Sequence, residues 1–236
     1  MIGLSEPPGE CPAAHFDIGE GDNMHDLDGW LSAWQRAVLG EFGEERVLFL
    51  GLQGSRARGE AREDSDIDAV VVLDELGPGD ISRYAGCTAG LPERDKLCGF
   101  LGGWRELERW PRGELWQFCL DTVPLRGSLE PIASQLARPD IRESALSCAG
   151  AVYHGCVHAR LRASGGEALA ALMKTAFFAL RAIHALETGE EIRTRAALAA
   201  RRRGLERDIA LGALGGTAEE RAASLFNWAA AALRSL

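Results

Sequence analysis

Residues 47–73 constrain this chain more than any other stretch. Two apolar runs of strand length, 47–52 and 67–73, rich in Val and Ile, bracket a polar segment punctuated by Gly54 and Gly59 and closing on Asp66-Ile67-Asp68. Successive side chains on a strand point to opposite faces, so Asp66 and Asp68 share one face while Ile67 turns into the core. Two carboxylates side by side repel unless a cation lies between them. A hard divalent ion is the natural occupant, and Mg²⁺ commonly arrives with a phosphate-bearing substrate.

The turn between the runs supplies what phosphates need. Gly54 lets the backbone approach a ligand closely, and Ser55 adds a hydroxyl beside exposed N–H groups. Arg56, Arg58 and Arg62 offer planar forks for phosphate oxygens.

Gly54-Ser55, then, after a nine-residue gap following Arg56, the Asp66-Ile67-Asp68 triplet resembles the signature of the nucleotidyltransferase superfamily of DNA polymerase β and kanamycin nucleotidyltransferase. The fuller pattern, Gly-Ser-Arg-Ala-Arg-Gly-x-Ala-x-x-Asp-Ser-Asp-Ile-Asp, resembles bacterial stand-alone nucleotidyltransferase-domain proteins. A Gly-Ser or an Asp-x-Asp alone carries little information; the ordered set between two apolar strands carries much. The resemblance implies an α+β chain: a small mixed sheet with flanking helices, then an all-α helical bundle. It also implies ATP or another nucleoside triphosphate as substrate and two Mg²⁺ ions as cofactors. The expected reaction moves AMP to a hydroxyl of a small molecule such as an aminoglycoside-like antibiotic, releasing pyrophosphate. A protein acceptor, as in adenylylating antitoxins, and a silent nucleotide-binding module remain alternatives.

In the resembled families a third carboxylate comes from a later strand beside the first pair. Residues 115–120 read as a strand and deliver Asp121 at its end, so Asp121 is the expected third catalytic and metal-holding acid beside Asp66 and Asp68. Asp95, Glu106 and Glu114 are its alternatives, and a plain turn residue before Pro124 is the bland one.

Length and composition set outer bounds. The 236 residues allow one large domain or two small ones; 46% hydrophobic and 26% charged content is that of an ordinary globular chain. No leader pattern opens the chain and no apolar stretch reads as a membrane span, so a cytoplasmic place is expected. A net charge of −9 argues against holding nucleic acid by phosphate neutralisation. Residues 1–130 are acidic and residues 131–236 basic, which suits metal ions and a cationic acceptor on one side and a triphosphate on the other. The six cysteines show no Cys-x-x-Cys spacing and read as reduced thiols, mostly buried.

In order, residues 1–24 form an expected N-terminal extension, 25–130 the nucleotidyltransferase domain and 131–236 the helical bundle. The spacing of Leu27, Trp30, Leu31, Trp34 and Val38 predicts a helix over about 26–42, capped by Asp26. Further short helices are expected over about 80–88 and 104–110, with a strand over 98–103 between them. Ala- and Leu-rich stretches predict helices over about 140–163, 167–188, 194–203 and 217–236. On the second of these, Lys174 and Arg181 lie two turns apart on one face, as helical-domain cations reaching a triphosphate would, or as side chains snorkelling to solvent. His154 and His158 stand at i,i+4 with no Glu after His154, so a structural pair is expected rather than a zinc site.

Overall fold

The computed structural model describes residues 27–162 and 166–236, with side chains in the second segment from residue 168 onward. The expected N-terminal extension and the Asp26 cap lie outside the described residues.

The first helix, α1 (Leu27–Phe42), buries Leu27, Trp30, Leu31, Trp34, Val38 and Phe42, as the apolar spacing requires. It is followed by β1 (Val47–Gln53), the one-turn α2 (Gly54–Ala57) and β2 (Ile67–Leu73). Then come α3 (Pro78–Thr88), β3 (Leu97–Gly103) and α4 (Trp104–Leu107). The chain continues through α5 (Arg112–Asp121), β4 (Val123–Arg126) and α6 (Glu130–Ala133). The last part is helical: α7 (Arg138–Leu161), α8 (Gly166–Thr188), α9 (Arg195–Arg201), α10 (Gly204–Leu211) and α11 (Ala218–Ser235).

The sheet runs β3-β2-β1-β4 and is mixed: β1 is antiparallel to β2 and β4, while β2 is parallel to β3. Its two faces pack differently. Leu50, Leu52, Ile67, Ala69, Val71 and Leu73 join the aromatic face of α1 in one core. Phe49, Val70 and Val72 face the other way, against Leu107, Leu115, Leu129 and Ile132. A third core belongs to the bundle, where α7, α8, α10 and α11 close around Phe177, Leu180 and Leu225. The fold is α+β, a small mixed sheet with helices followed by a helical region.

Residues 115–120 are not a strand. They lie in α5, because this helix is buried on both sides: Leu115, Phe118 and Cys119 pack toward the sheet, Trp116 and Leu120 toward the bundle. A segment apolar all round lacks the one-sided 3.6-residue stripe by which a surface helix is recognised. Gly113 brings α5 against α7, since a Cβ there would come within 2.6 Å of the Ser144 nitrogen.

The chain also holds a helix long and apolar enough to cross a bilayer, which the sequence reading missed: Ala168–Thr188 of α8. In this fold it is the central helix of the bundle core, with Ala176, Phe177, Ala179, Leu180 and Ala182 all buried against protein. Cys98 is exposed, Cys156 buried, and Cys87, Cys119 and Cys148 lie between; all five are free thiols.

Candidate active site

The site grows from the end of the sheet where β1 stops and β2 begins. Ile67 is fully buried in the α1-side core, so the residues on either side of it face the opposite way. Asp66 is exposed just ahead of β2, and Asp68, the second residue of β2, is partly buried. Burial pushes the Asp68 carboxyl above the usual carboxylate range; Lys174 pulls it back and the neighbouring Asp66 charge pushes it up further. Asp66 thus lies near enough for its charge to act on Asp68.

Gly54 stands directly against them. Its φ is +74°, and a Cβ there would sit 1.9 Å from Asp68 Oδ2, so only glycine permits both this turn and this carboxylate position. Ser55 follows in α2, and its carbonyl accepts the Glu60 N–H at 2.8 Å, closing the loop back on itself.

The arginines of the turn are used differently from the phosphate forks expected. Arg56 is buried and donates through Nε to the Asp66 carbonyl at 3.1 Å and through Nη2 to the Ser65 carbonyl at 2.8 Å. It braces the backbone that carries Asp66. Arg58 donates through Nη1 to both Asp121 oxygens at 2.9 and 2.8 Å and through Nε to Glu60 at 2.9 Å. Arg62 is exposed.

Asp121 ends α5 rather than a strand, and its carboxylate is held by arginines. Besides Arg58, it accepts from Arg181 Nη1 at 2.8 Å. Burial would raise its pKa, but Arg181 and Arg58 outweigh that and hold it below the ordinary value. Arg181 is wholly buried, bonded also to Gln117 Oε1, and sits over the rings of Phe177 and Phe178. Among the described residues no three acids or other ligating side chains are grouped as a metal cluster. Asp121 lies close enough to be felt by Asp68, and its carboxylate is engaged by Arg58 and Arg181.

The strand next to the pair is β3, whose register places Cys98 beside Asp68, and no residue from Leu97 to Gly103 is acidic. On the other side Gln53 is in register with Asp68 and donates to Thr122 Oγ1 at 2.6 Å, tying the end of α5 to the sheet. Lys174 and Arg181 part company. Lys174 is exposed and faces Asp68 closely enough to lower its pKa, whereas Arg181 is locked onto Asp121. Glu60, which pairs with Arg58, and Gln117, which accepts from Arg181, carry no sequence signal of their own. On α7 His154 is exposed and His158 half-buried, with their Nε2 atoms 2.9 Å apart.

A glycine turn thus lies against a carboxylate at the start of a strand, with a second carboxylate beside it. The sequence profile of the nucleotidyltransferase domain family matches residues 36–129, the span that contains all of these elements up to the start of the bundle. Residues 36–129 are a nucleotidyltransferase domain. The fold of the whole chain is similar to that of spectinomycin adenyltransferase AAD(9) from Enterococcus faecialis, solved with ATP and spectinomycin. The TM-score is 0.53 at 14% sequence identity, covering 87% of this chain and 98% of that one. No curated protein matches the sequence. Within this chain the matched span, residues 36–129, is followed by a helical bundle.

Proposed function

We propose that this nucleotidyltransferase moves AMP from ATP to a hydroxyl of a small molecule, releasing pyrophosphate. The observation that carries the reading is the juxtaposition of Gly54 with Asp68: a backbone turn with no side chain, pressed against a carboxylate whose pKa is raised by burial and by Asp66. Such a pair fits a divalent cation, because a bound ion removes the repulsion and leaves open coordination positions for phosphate oxygens. Asp66 and Asp68 would hold Mg²⁺, two ions in the full complex. When bound, the metal supplies charge neutralisation of the triphosphate and a lowered pKa for the attacking hydroxyl.

The protein's own groups do the rest. The N–H groups and hydroxyl at Gly54-Ser55 cradle the triphosphate, and Lys174 meets it from the bundle side. Arg56 holds the Asp66 backbone in place. Arg58, Asp121 and Arg181 act one step back, fixing the turn against α8, so their role is positioning. Fixed charges and fixed distances supply most of the acceleration in this kind of transfer. AAD(9), solved with ATP and spectinomycin, supports a small acceptor and ATP as donor. A cytoplasmic place, where ATP is made available, belongs to the same proposal.

Pyrophosphate release from Mg²⁺-ATP across a panel of hydroxylated small molecules, compared between wild type and Asp68→Asn, tests it. Acceptor-dependent release lost in the variant is expected; ATP binding without release for every acceptor would overturn the transfer reading.

A further inference from the structure

A second cavity, of about 330 Å³, lies between α5, the start of α7 and the loop before α9. Its walls are mixed, and their apolar part comes from Trp116 and Leu120 of α5, with Leu136 and Ile141 opposite. Two arginines open onto it. Arg138, at the first position of α7, is exposed and makes no hydrogen bond or ion pair among the described residues. Arg193, just before α9, has a single hydrogen bond, a long one of 3.5 Å from Nη2 to the Asp121 carbonyl, and its Nε is buried with no partner. Among the described residues Glu191 is the one carboxylate lining the cavity, and it already accepts the Trp116 indole N–H at 2.8 Å.

A half-buried guanidinium lacking a carboxylate is costly, and the setting worsens it, since burial and the nearby Arg58 charge both push Arg193 below its usual pKa while only Asp121 opposes them. An anion arriving in the cavity removes that cost and finds two planar forks. The volume is at the small end of ligand pockets, which run from about 300 to 1,000 Å³, so the molecule is small. We propose that this cavity binds a small amphipathic carboxylate, its ring or chain against Trp116, Leu136 and Ile141 and its carboxylate between Arg138 and Arg193. This assignment does not depend on the nucleotidyl-transfer reading. A polycation is the wrong ligand for it.

The test titrates the full chain with 3-phenylpropanoate, following heat by calorimetry and the fluorescence of Trp116, with 3-phenylpropanamide and 3-phenylpropylamine as neutral and cationic analogues. Saturable binding of the carboxylate alone is expected. Arg193→Gln should weaken it by about tenfold or more, the loss of a charge-assisted hydrogen bond. Arg138→Gln, on an exposed side chain without protein partners, should weaken it severalfold at unchanged Tm, and Lys174→Ala should leave it as in wild type. Equal affinity for the amide or amine, no saturation by the carboxylate at millimolar concentration, or wild-type affinity in Arg138→Gln would overturn the assignment. If Arg193→Gln does not fold, Arg138→Gln decides alone.

Discussion

Arg181 of α8 and Asp121 of α5 form an ion pair at 2.8 Å with the arginine side chain wholly out of solvent. The pair does not end there. Asp121 also takes both oxygens to Arg58, Arg58 reaches Glu60, and Glu60 accepts the Arg195 backbone N–H at the start of α9. One continuous run of charge thus joins the bundle to the turn that carries Gly54 and Ser55. Its geometry makes the bundle a backing for that turn.

Breaking that run should cost stability more than most substitutions. Asp121→Asn leaves the buried Arg181 guanidinium without a carboxylate and Arg58 with Glu60 alone, and removing one partner of a buried ion pair typically costs about 3–5 kcal/mol. The pH dependence has a definite sign. Asp121 is held below its unfolded-state value, so its contribution is present above the ordinary carboxylate range and fades as the pH falls through the folded-state value. Urea midpoints of wild type and Asp121→Asn should therefore differ widely at neutral pH and converge in acid. A constant gap across the range would show that the ion pairs are not its source.

Asp66→Asn and Asp68→Asn should abolish pyrophosphate release while leaving the fold intact. For Asp68 the Tm should match or exceed that of wild type, because an ionised carboxylate whose pKa is raised by burial weakens the folded state at neutral pH. Turnover retained in both variants would remove these residues from the chemistry.

Gly54→Ala separates geometry from stability. The new methyl would meet Asp68 Oδ2 and would also impose a left-handed φ on an L-residue, a strain of about 1–2 kcal/mol. The expected result is a modest fall in Tm with a loss of kcat/KM for ATP far larger than that strain explains, since Asp68 must move aside. Normal kcat/KM in a folded Gly54→Ala protein would mean that the turn and the carboxylate do not work together.

Lys174→Ala should leave the Tm unchanged, since the side chain is exposed, and raise KM for ATP by about tenfold, a typical charge-assisted contact. Lys174 also lowers the Asp68 pKa, so its removal should shift the acidic limb of the pH–rate profile to higher pH. A limb that stays in place would show that Asp68 titration does not set it.

Arg56→Lys should be poorly tolerated despite keeping the charge. A lysine cannot reproduce the fork that serves the Ser65 and Asp66 carbonyls together. The expected signature is a drop in kcat with Asp66 misplaced, measured beside a circular dichroism spectrum like that of wild type; wild-type kcat would argue that the Asp66 backbone holds its place unaided.

The paired acids, the glycine turn, β2 and the long helices were all legible in the chain, because each rests on local rules: alternation on a strand, positive φ at glycine, apolar spacing on a helix. Residues 115–120 were misread for a physical reason as well. α5 is buried between two cores, so its outline is set by neighbours and not by its own periodicity. Cys98 was unremarkable until the parallel register of β2 and β3 set it beside Asp68, where the resemblance called for an acid.

By itself the sequence determined the chemistry on offer: which carboxylates share a face, where the backbone must turn, and which helix is apolar enough to form a bundle core. Only the tertiary structure decided which charges are spent. Arg56, Arg58, Arg181 and Asp121 look like ligands when read along the chain, yet a buried charge must find its counter-charge or carbonyl within the fold before it can serve a substrate. Distance in sequence hides that competition; packing settles it.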